Sequence, residues 1–108
     1  MADNSQLKNN PTLSEVQAYV AERTKERGFD NETTQDSFML LVEEIGELAK
    51  ALRPMHGIKS ATDSTLGEVE HEIADVFWLL MCVCNGLDID VETAVRSKEE
   101  KNLKRTWQ

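Results

Sequence analysis

Two clusters of acidic residues are the part of this sequence best suited to chemistry. The first has the sequence EEIGE at positions 43–47, and the second has the sequence EIAD at positions 72–75. In each cluster two carboxylates are three positions apart, so on a helix both project from one side. Four carboxylates that face one another repel, but carboxylate oxygens are also the ligands that Mg²⁺ prefers. The spacing therefore predicts a site for a hard cation, made by two pairs of side chains: Glu44 with Glu47, and Glu72 with Asp75.

The surroundings of these acids bear on a simpler interpretation, in which they form a solvated charged face of a helix. Both clusters lie among apolar residues, in the segments MLLVEEIGELA and EIADVFWLL. No lysine or arginine occurs between Asp36 and Glu47, or between Leu66 and Asp75, although Lys50 follows the first cluster at helical spacing. The pattern alone supports a metal site and a plain charged face about equally.

Four helical segments would carry these residues. The first should begin near Thr12, because TLSE has the pattern of a capping box. Apolar residues at helical spacing predict a second helix over about residues 35–53, ended by Pro54, and a third over about residues 66–85. A fourth should start after Asp90, a favourable N-cap. Since no segment shows the period-two alternation of a strand, the sequence predicts an all-α fold, a four-helix bundle.

Antiparallel packing of the second and third helices would bring the two acidic clusters together. Glu47 lies about six residues before the predicted end of the second helix, and Glu72 lies about six residues after the start of the third. At about 1.5 Å per residue, both are about 9 Å from the connection, so the clusters lie at the same depth. The connection, residues 54–65, is longer than usual between neighbouring helices, which is typical either of a binding loop or of simple slack.

Length and charge limit the kinds of partner. The 108 residues, 40% of them hydrophobic, are enough for one domain, predicted over residues 12–108 after a polar, flexible leader at residues 1–11. Twenty acidic residues against twelve basic ones give a net charge of −8, which opposes binding to nucleic acid polymers and anionic membranes. The longest apolar stretch, near residues 76–83, is too short to span a bilayer, and the polar N-terminus lacks a signal-peptide core. We therefore expect a cytoplasmic protein whose two cysteines, Cys82 and Cys84, are free thiols.

The order of these acids resembles that of a known family, the MazG-like all-α nucleoside triphosphate pyrophosphohydrolases, which are related to the helical dUTPases. The family signature is Glu-Glu-x-x-Glu, followed after a variable spacer by Glu-x-x-Asp, and here 24 residues separate the two parts. The segments EEIGELAKAL and EHEIADVFWLL are similar to the family's usual sequences, and KNLKR at positions 101–105 resembles its Lys-Asn-x-x-Arg element. The likeness covers about residues 12–106.

This resemblance implies hydrolysis of a nucleoside or deoxynucleoside triphosphate to the monophosphate and pyrophosphate, as in cleansing of the nucleotide pool. The implied cofactor is Mg²⁺, with Mn²⁺ as a substitute. The implied catalytic residues are Glu43, Glu44, Glu47, Glu72 and Asp75, of which the last four hold the metal. Glu43 would orient or deprotonate the attacking water. The residues that the resemblance places near the substrate are Phe29, Lys98, Lys101, Asn102 and Arg105.

The resemblance also implies a tight homodimer, often paired again into a tetramer, with each pocket lined by more than one subunit. The apolar residues of the third helix, over positions 76–81, lie on more than one side, which also favours pairing with a second copy. For the cations of the last helix there is a simpler interpretation, because a helix C-terminus favours positive charge in any case.

Two other functions stay open from the residues. Glu68 and His71 form a Glu-x-x-His pair of the kind that di-iron carboxylate bundles use, but such sites need the pair twice and the second helix has none. The acidic helices could instead form a non-catalytic interaction module whose charge keeps an oligomer soluble. Binding of Mg²⁺ and turnover of nucleotides would distinguish an enzyme from such a module.

Overall fold

Four α-helices make up most of the molecule. The computed structural model describes residues 6–29, 31–55 and 65–105. Within these ranges the helices are α1 (Leu13–Glu26), α2 (Thr34–Met55), α3 (Leu66–Gly86) and α4 (Val91–Leu103), and there is no β-strand. The prediction of an all-α fold with four helices is thus confirmed. Residues 56–64, which hold most of the long predicted connection between α2 and α3, lie outside the described ranges.

Reciprocal capping fixes where the helices begin. At α1 the Glu15 N–H donates to Thr12 Oγ1 over 3.1 Å and the Thr12 N–H donates to Glu15 Oε1 over 2.8 Å, which confirms the predicted capping box. A second capping box, which the sequence analysis did not identify, joins Thr65 and Glu68 at the start of α3 over 3.0 and 3.2 Å. Asp90 caps α4 as predicted. These contacts satisfy N–H groups that the first turn of each helix leaves without a partner.

The predicted end of α2 was wrong by two residues. The helix does not stop at Arg53 but continues through Pro54 to Met55. Inside a helix, a proline removes one backbone hydrogen bond and crowds the carbonyl four residues earlier, while its fixed φ is itself helical. Because Pro54 lies in the last turn, no further turn depends on the missing bond, and the helix tolerates the proline.

An antiparallel pair formed by α2 and α3 is the centre of the fold. At one end of this pair, Gly86 lies against Thr34. A Cβ at position 86 would stand 3.3 Å from Thr34 Cβ and would overlap the Thr34 hydroxyl, so glycine permits the two helices to approach closely there. α1 packs on α3, and α4 packs on α1.

A buried amide connects α1 to the turn before α4. Gln17 is 8% exposed. Its Nε2 donates to the Ile89 carbonyl over 2.6 Å, and its Oε1 accepts from the Val91 N–H over 2.9 Å. Asn85 Nδ2 in turn donates to the Gln17 carbonyl over 3.2 Å. This network fixes the position of α4 relative to α1 and α3.

The core of the single chain is small. Among the described residues, the buried apolar side chains are Val20, Leu41, Val69 and Met81. Large apolar side chains of α2 and α3 are exposed, among them Phe38, Met39 and Phe77. Much apolar surface on α2 and α3 is therefore left uncovered. No described helix is long and apolar enough to cross a membrane.

Candidate metal centre

Three carboxylates converge where α2 and α3 face each other. Glu44 comes from α2, whereas Glu72 and Asp75 come from α3. One oxygen of each lies within 4.8 Å of the others. Glu72 and Asp75 share one side of α3 because they are three residues apart, and the antiparallel packing places Glu44 opposite them. The two acidic clusters of the sequence thus meet at one depth of the fold.

Within the described part of the chain, no cationic side chain forms an ion pair with these carboxylates. Partial burial, then a hydrogen bond with Glu72 and the charges of the neighbouring acids, raise the pKa of Glu44 above its usual value. Glu72 Oε2 is buried and has no hydrogen-bond partner. A buried polar atom without a partner destabilises a protein, and like charges at short range repel. A divalent cation among these oxygens would remove both penalties, and a donor set made only of oxygen fits a hard ion such as Mg²⁺.

The other two acids of the predicted set lie outside this convergence. Glu47 and Glu43 are exposed, and neither carboxylate joins the group of three. The charge of Glu47 nevertheless contributes to the raised pKa of Glu44, so Glu47 lies close to the centre. Three of the four predicted metal ligands therefore converge in the single chain, with the fourth beside them.

The structure does not favour a di-iron site. Among the described residues, the group able to hold a metal contains no histidine. Glu68 of the Glu-x-x-His pair accepts a hydrogen bond from the Thr65 N–H in the cap of α3, and His71 is exposed. A carboxylate used by a cap is not free to bind iron.

A cavity of about 260 Å³ extends from the carboxylates toward the start of α2 and the end of α3. Glu44 and Asp75 line one end of the cavity. Ser37 and Cys82 line the other end, each seven residues away on the same helix, which is about 10 Å along the helix axis. The walls between the two ends include Phe29, Leu40, Trp78 and Leu79.

Aromatic and cationic side chains organise one wall of the cavity. Tyr19 and Trp78 meet edge to face, with ring centroids 6.1 Å apart. The guanidinium carbon of Arg27 lies 5.0 Å from the centroid of the Trp78 ring. Phe29, which the resemblance places near the substrate, is 54% exposed and borders the same cavity. Its contact with a base stays a prediction.

The residues of α4 that were predicted to contact the substrate lie elsewhere in this chain. Lys98, Lys101 and Arg105 are exposed, and none of them lines the cavity. Asn102 is half-buried, and its Oδ1 is buried without a hydrogen-bond partner. Since α4 packs against α1, one chain does not bring these residues to its own carboxylates.

Sequence reasoning missed the far end of the cavity. Ser37, Trp78 and Cys82 line the cavity, but none of them was predicted as a site residue. A signal was present in the helical periodicity. Ser37 is two turns before Glu44, and Cys82 is two turns after Asp75, so each shares a helix face with an acid.

Comparison with known proteins places this geometry in a family. A sequence profile of the MazG nucleotide pyrophosphohydrolase domain matches residues 32–107, which is more than half of the chain. The chain belongs to the MazG family. All of the acidic residues of the two clusters lie within the matched range. Membership of this family supports an enzyme that hydrolyses nucleoside triphosphates.

Solved MazG structures share the fold over almost the whole chain. A Bacillus-conserved MazG protein, described as a nucleotide pyrophosphohydrolase, matches with a TM-score of 0.75 at 25% identity, covering 92% of this chain and 97% of that one. The putative pyrophosphatase YPJD from Bacillus subtilis matches with a TM-score of 0.77 at 29% identity, covering 92% and 100%. iMazG from Vibrio DAT 722 matches with a TM-score of 0.65 at 27% identity, covering 90% and 100%.

Among curated proteins, the uncharacterized protein YpjD of Bacillus subtilis (strain 168) is 43% identical to this MazG chain over 56 residues. The aligned part is half of this chain and half of that protein.

Proposed function

We propose that this MazG chain is a Mg²⁺-dependent hydrolase that converts a nucleoside or deoxynucleoside triphosphate to the monophosphate and pyrophosphate. The observation that carries the proposal is the convergence of Glu44, Glu72 and Asp75 at one end of a cavity of nucleoside size. The family of the chain, the MazG nucleotide pyrophosphohydrolases, supports the same chemistry. Action on free nucleotides would suit cleansing of the nucleotide pool.

Each acid of the centre has a proposed role. The metal ligands would be Glu44, Glu47, Glu72 and Asp75, and Mn²⁺ would replace Mg²⁺ because it also prefers oxygen ligands. When bound, the ion neutralises phosphate charge, polarises the α-phosphorus and lowers the pKa of bound water. For Glu43, which is next to Glu44 in the chain, the family resemblance supports the role of orienting or deprotonating the attacking water.

The cavity would take the nucleoside. With the triphosphate at the carboxylates, the sugar and base extend along the two helical turns that separate Glu44 from Ser37. Phe29 and Trp78 offer aromatic surface on which a base can stack. The net charge of −8 opposes the approach of a polyanion, which is a further reason for the metal to accompany the substrate.

A second copy of the chain would complete the site. On α2 an apolar stripe at helical spacing is about half exposed, formed by Phe38, Val42 and Ile45. A similar stripe on α3 is formed by Ile73, Phe77 and Leu80. Exposed apolar stripes on the helices of a soluble protein are typical of a surface that packs against a partner. We propose a homodimer, paired again into a tetramer, in which the α4 element of one subunit reaches the substrate of another. The residues that α4 would supply are Lys98, Lys101, Asn102 and Arg105.

Pyrophosphate release from a panel of canonical and oxidised triphosphates tests the activity directly. We expect turnover with Mg²⁺ or Mn²⁺ and none in excess chelator. Full activity in chelator would exclude the metal mechanism, and no release from any triphosphate would exclude the function. In that last case, absence of site-specific heat on titration with Mg²⁺ would identify a non-catalytic acidic module.

Light scattering tests the assembly. We expect at least a dimeric mass at micromolar concentration. A monomeric mass with full activity would contradict the shared site.

A further inference from the structure

We propose that Glu32 and Ser37 read the edge of the base and make guanine the preferred base of the substrate. This inference rests on the proposed function, because it assumes that the triphosphate lies at the carboxylates. It concerns the opposite end of the same cavity, about 10 Å away along α2. That distance is comparable to the reach from an α-phosphate to the far edge of its own base.

Ser37 places a hydroxyl group at the far end of the cavity. The residue is 7% exposed, lines the cavity and has no side-chain hydrogen bond to another described residue. Its hydroxyl can therefore donate a hydrogen bond to, or accept one from, a molecule that occupies the cavity. Beside it, Thr24 Oγ1 and Cys82 Sγ are 3.7 Å apart and form a weak hydrogen bond with each other. Among the described residues at this end of the cavity, the Ser37 hydroxyl is therefore the one available to a ligand.

Glu32 brings a negative charge to the same end. It lines the cavity, and no described residue donates a hydrogen bond to its carboxylate or forms an ion pair with it. Burial is the main reason why the pKa of Cys82 is raised, but the charge of Glu32 adds to it, which supports a carboxylate directed at Cys82. An ionised carboxylate only accepts hydrogen bonds, and its two oxygens accept best from two neighbouring donors.

Guanine is the common base that offers such a pair of donors. Its ring N1–H and its 2-amino group are adjacent and point the same way. Adenine and cytosine present one amino group, and in thymine and uracil carbonyl oxygens flank the ring N–H and would face the carboxylate. The neighbouring acceptor of guanine, O6, also has a counterpart, because Arg27 lines the cavity and carries donors only. Its stacking on Trp78 holds the guanidinium on this wall.

The test compares dGTP with dITP, which differ only by the 2-amino group. We expect kcat/KM for dGTP to exceed that for dITP by about ten- to a hundredfold, the range of one hydrogen bond to a charged group. In Glu32→Gln the ratio should fall to about one, while hydrolysis of dITP persists. Glu22→Gln, the same change in a separate groove beside α1, should keep the wild-type ratio. Because Glu32 is exposed, melting curves should show that the variant remains folded.

The outcomes separate this inference from the function on which it rests. Equal rates with dGTP and dITP in the wild-type protein would overturn the preference for guanine and leave the pyrophosphohydrolase intact. A dGTP preference that survives Glu32→Gln would overturn the assignment to Glu32. Absence of pyrophosphate release from every triphosphate would remove the function and the inference together.

Discussion

The same molecule uses carboxylates in two opposite ways. At the starts of α1 and α4, Glu15 and Asp90 accept hydrogen bonds within their caps, and the pKa of each is lowered, to about 2 for Glu15. In the α2–α3 cluster the pKa of Glu44 is raised, and one oxygen of Glu72 has no partner. The capping acids already hold the donors that they need, whereas the cluster acids do not. The lack of such partners, more than acidity itself, distinguishes the proposed metal ligands from the capping acids.

Removal of a cluster acid should have the largest effect of all. We expect Glu72→Gln to reduce pyrophosphate release by at least about a hundredfold, because the reaction depends on positioned charge. Glu15→Gln, the matched change in a cap, should retain near wild-type turnover. Near wild-type activity of Glu72→Gln would contradict its place in the centre.

Addition of Mg²⁺ should stabilise the cluster and leave the caps unchanged. For the wild-type protein, Mg²⁺ at a hundred times its Kd should add about 2.7 kcal/mol to the free energy of unfolding. Glu72→Gln should be at least as stable as the wild-type protein without Mg²⁺, since one repelling charge is gone, and should gain much less on its addition. Chemical denaturation with and without Mg²⁺ measures both effects, and an equal gain in the variant would refute the site.

Removal of a cap should lower the free energy of unfolding and leave the response to Mg²⁺ unchanged. Thr65→Ala deletes the hydroxyl that accepts from the Glu68 N–H at the start of α3, and we expect a loss of about 1 kcal/mol in the free energy of unfolding. Thr65→Ser keeps the hydroxyl and should restore most of this loss. The response to Mg²⁺ should be unchanged in both variants, and a lost response would show that the cap also positions the centre.

The smallest effect concerns pH. The pKa of Glu15 is about 2 in the folded protein, below its usual value of 4.5, so folding favours the ionised carboxylate. Its contribution to stability is therefore complete above about pH 4.5 and is lost as the pH falls through about 2. Urea unfolding across this interval should show the wild-type protein and Glu15→Gln converging in stability at the acid end. A difference that stays constant with pH would contradict the capping role of the ionised form.

Most of the fold was predictable because its signals are local. The capping box at Thr12 and the cap at Asp90 fix helix starts through neighbours a few residues away, and the paired acids share a face through helical spacing alone. The end of α2 was predicted too early, because a proline does not by itself show whether a helix stops before it or continues through it for the rest of its last turn.

The carboxylate end of the site was predictable for the same reason, and the far end was not. Glu32 and Arg27 reach the cavity only because the segment after α1 folds back toward α3, which no local pattern encodes. The place of the α4 cations relative to the carboxylates was also not predictable from local patterns. One chain does not bring these cations to its own carboxylates.

The contact between Gly86 and Thr34 connects the close packing of α2 on α3 with the geometry of the proposed metal centre. The proposed metal ligands are divided between two helices, with Glu44 on α2 and Glu72 on α3, so the distance between them depends on the angle at which the helices cross. A side chain at position 86 would push α2 and α3 apart at one end and so change their crossing angle. A displacement of about 1 Å at a reacting centre is enough to slow catalysis about a hundredfold. The absence of a side chain at position 86, far from the proposed phosphate site, therefore helps to set the distance between the carboxylates on which the reaction would depend.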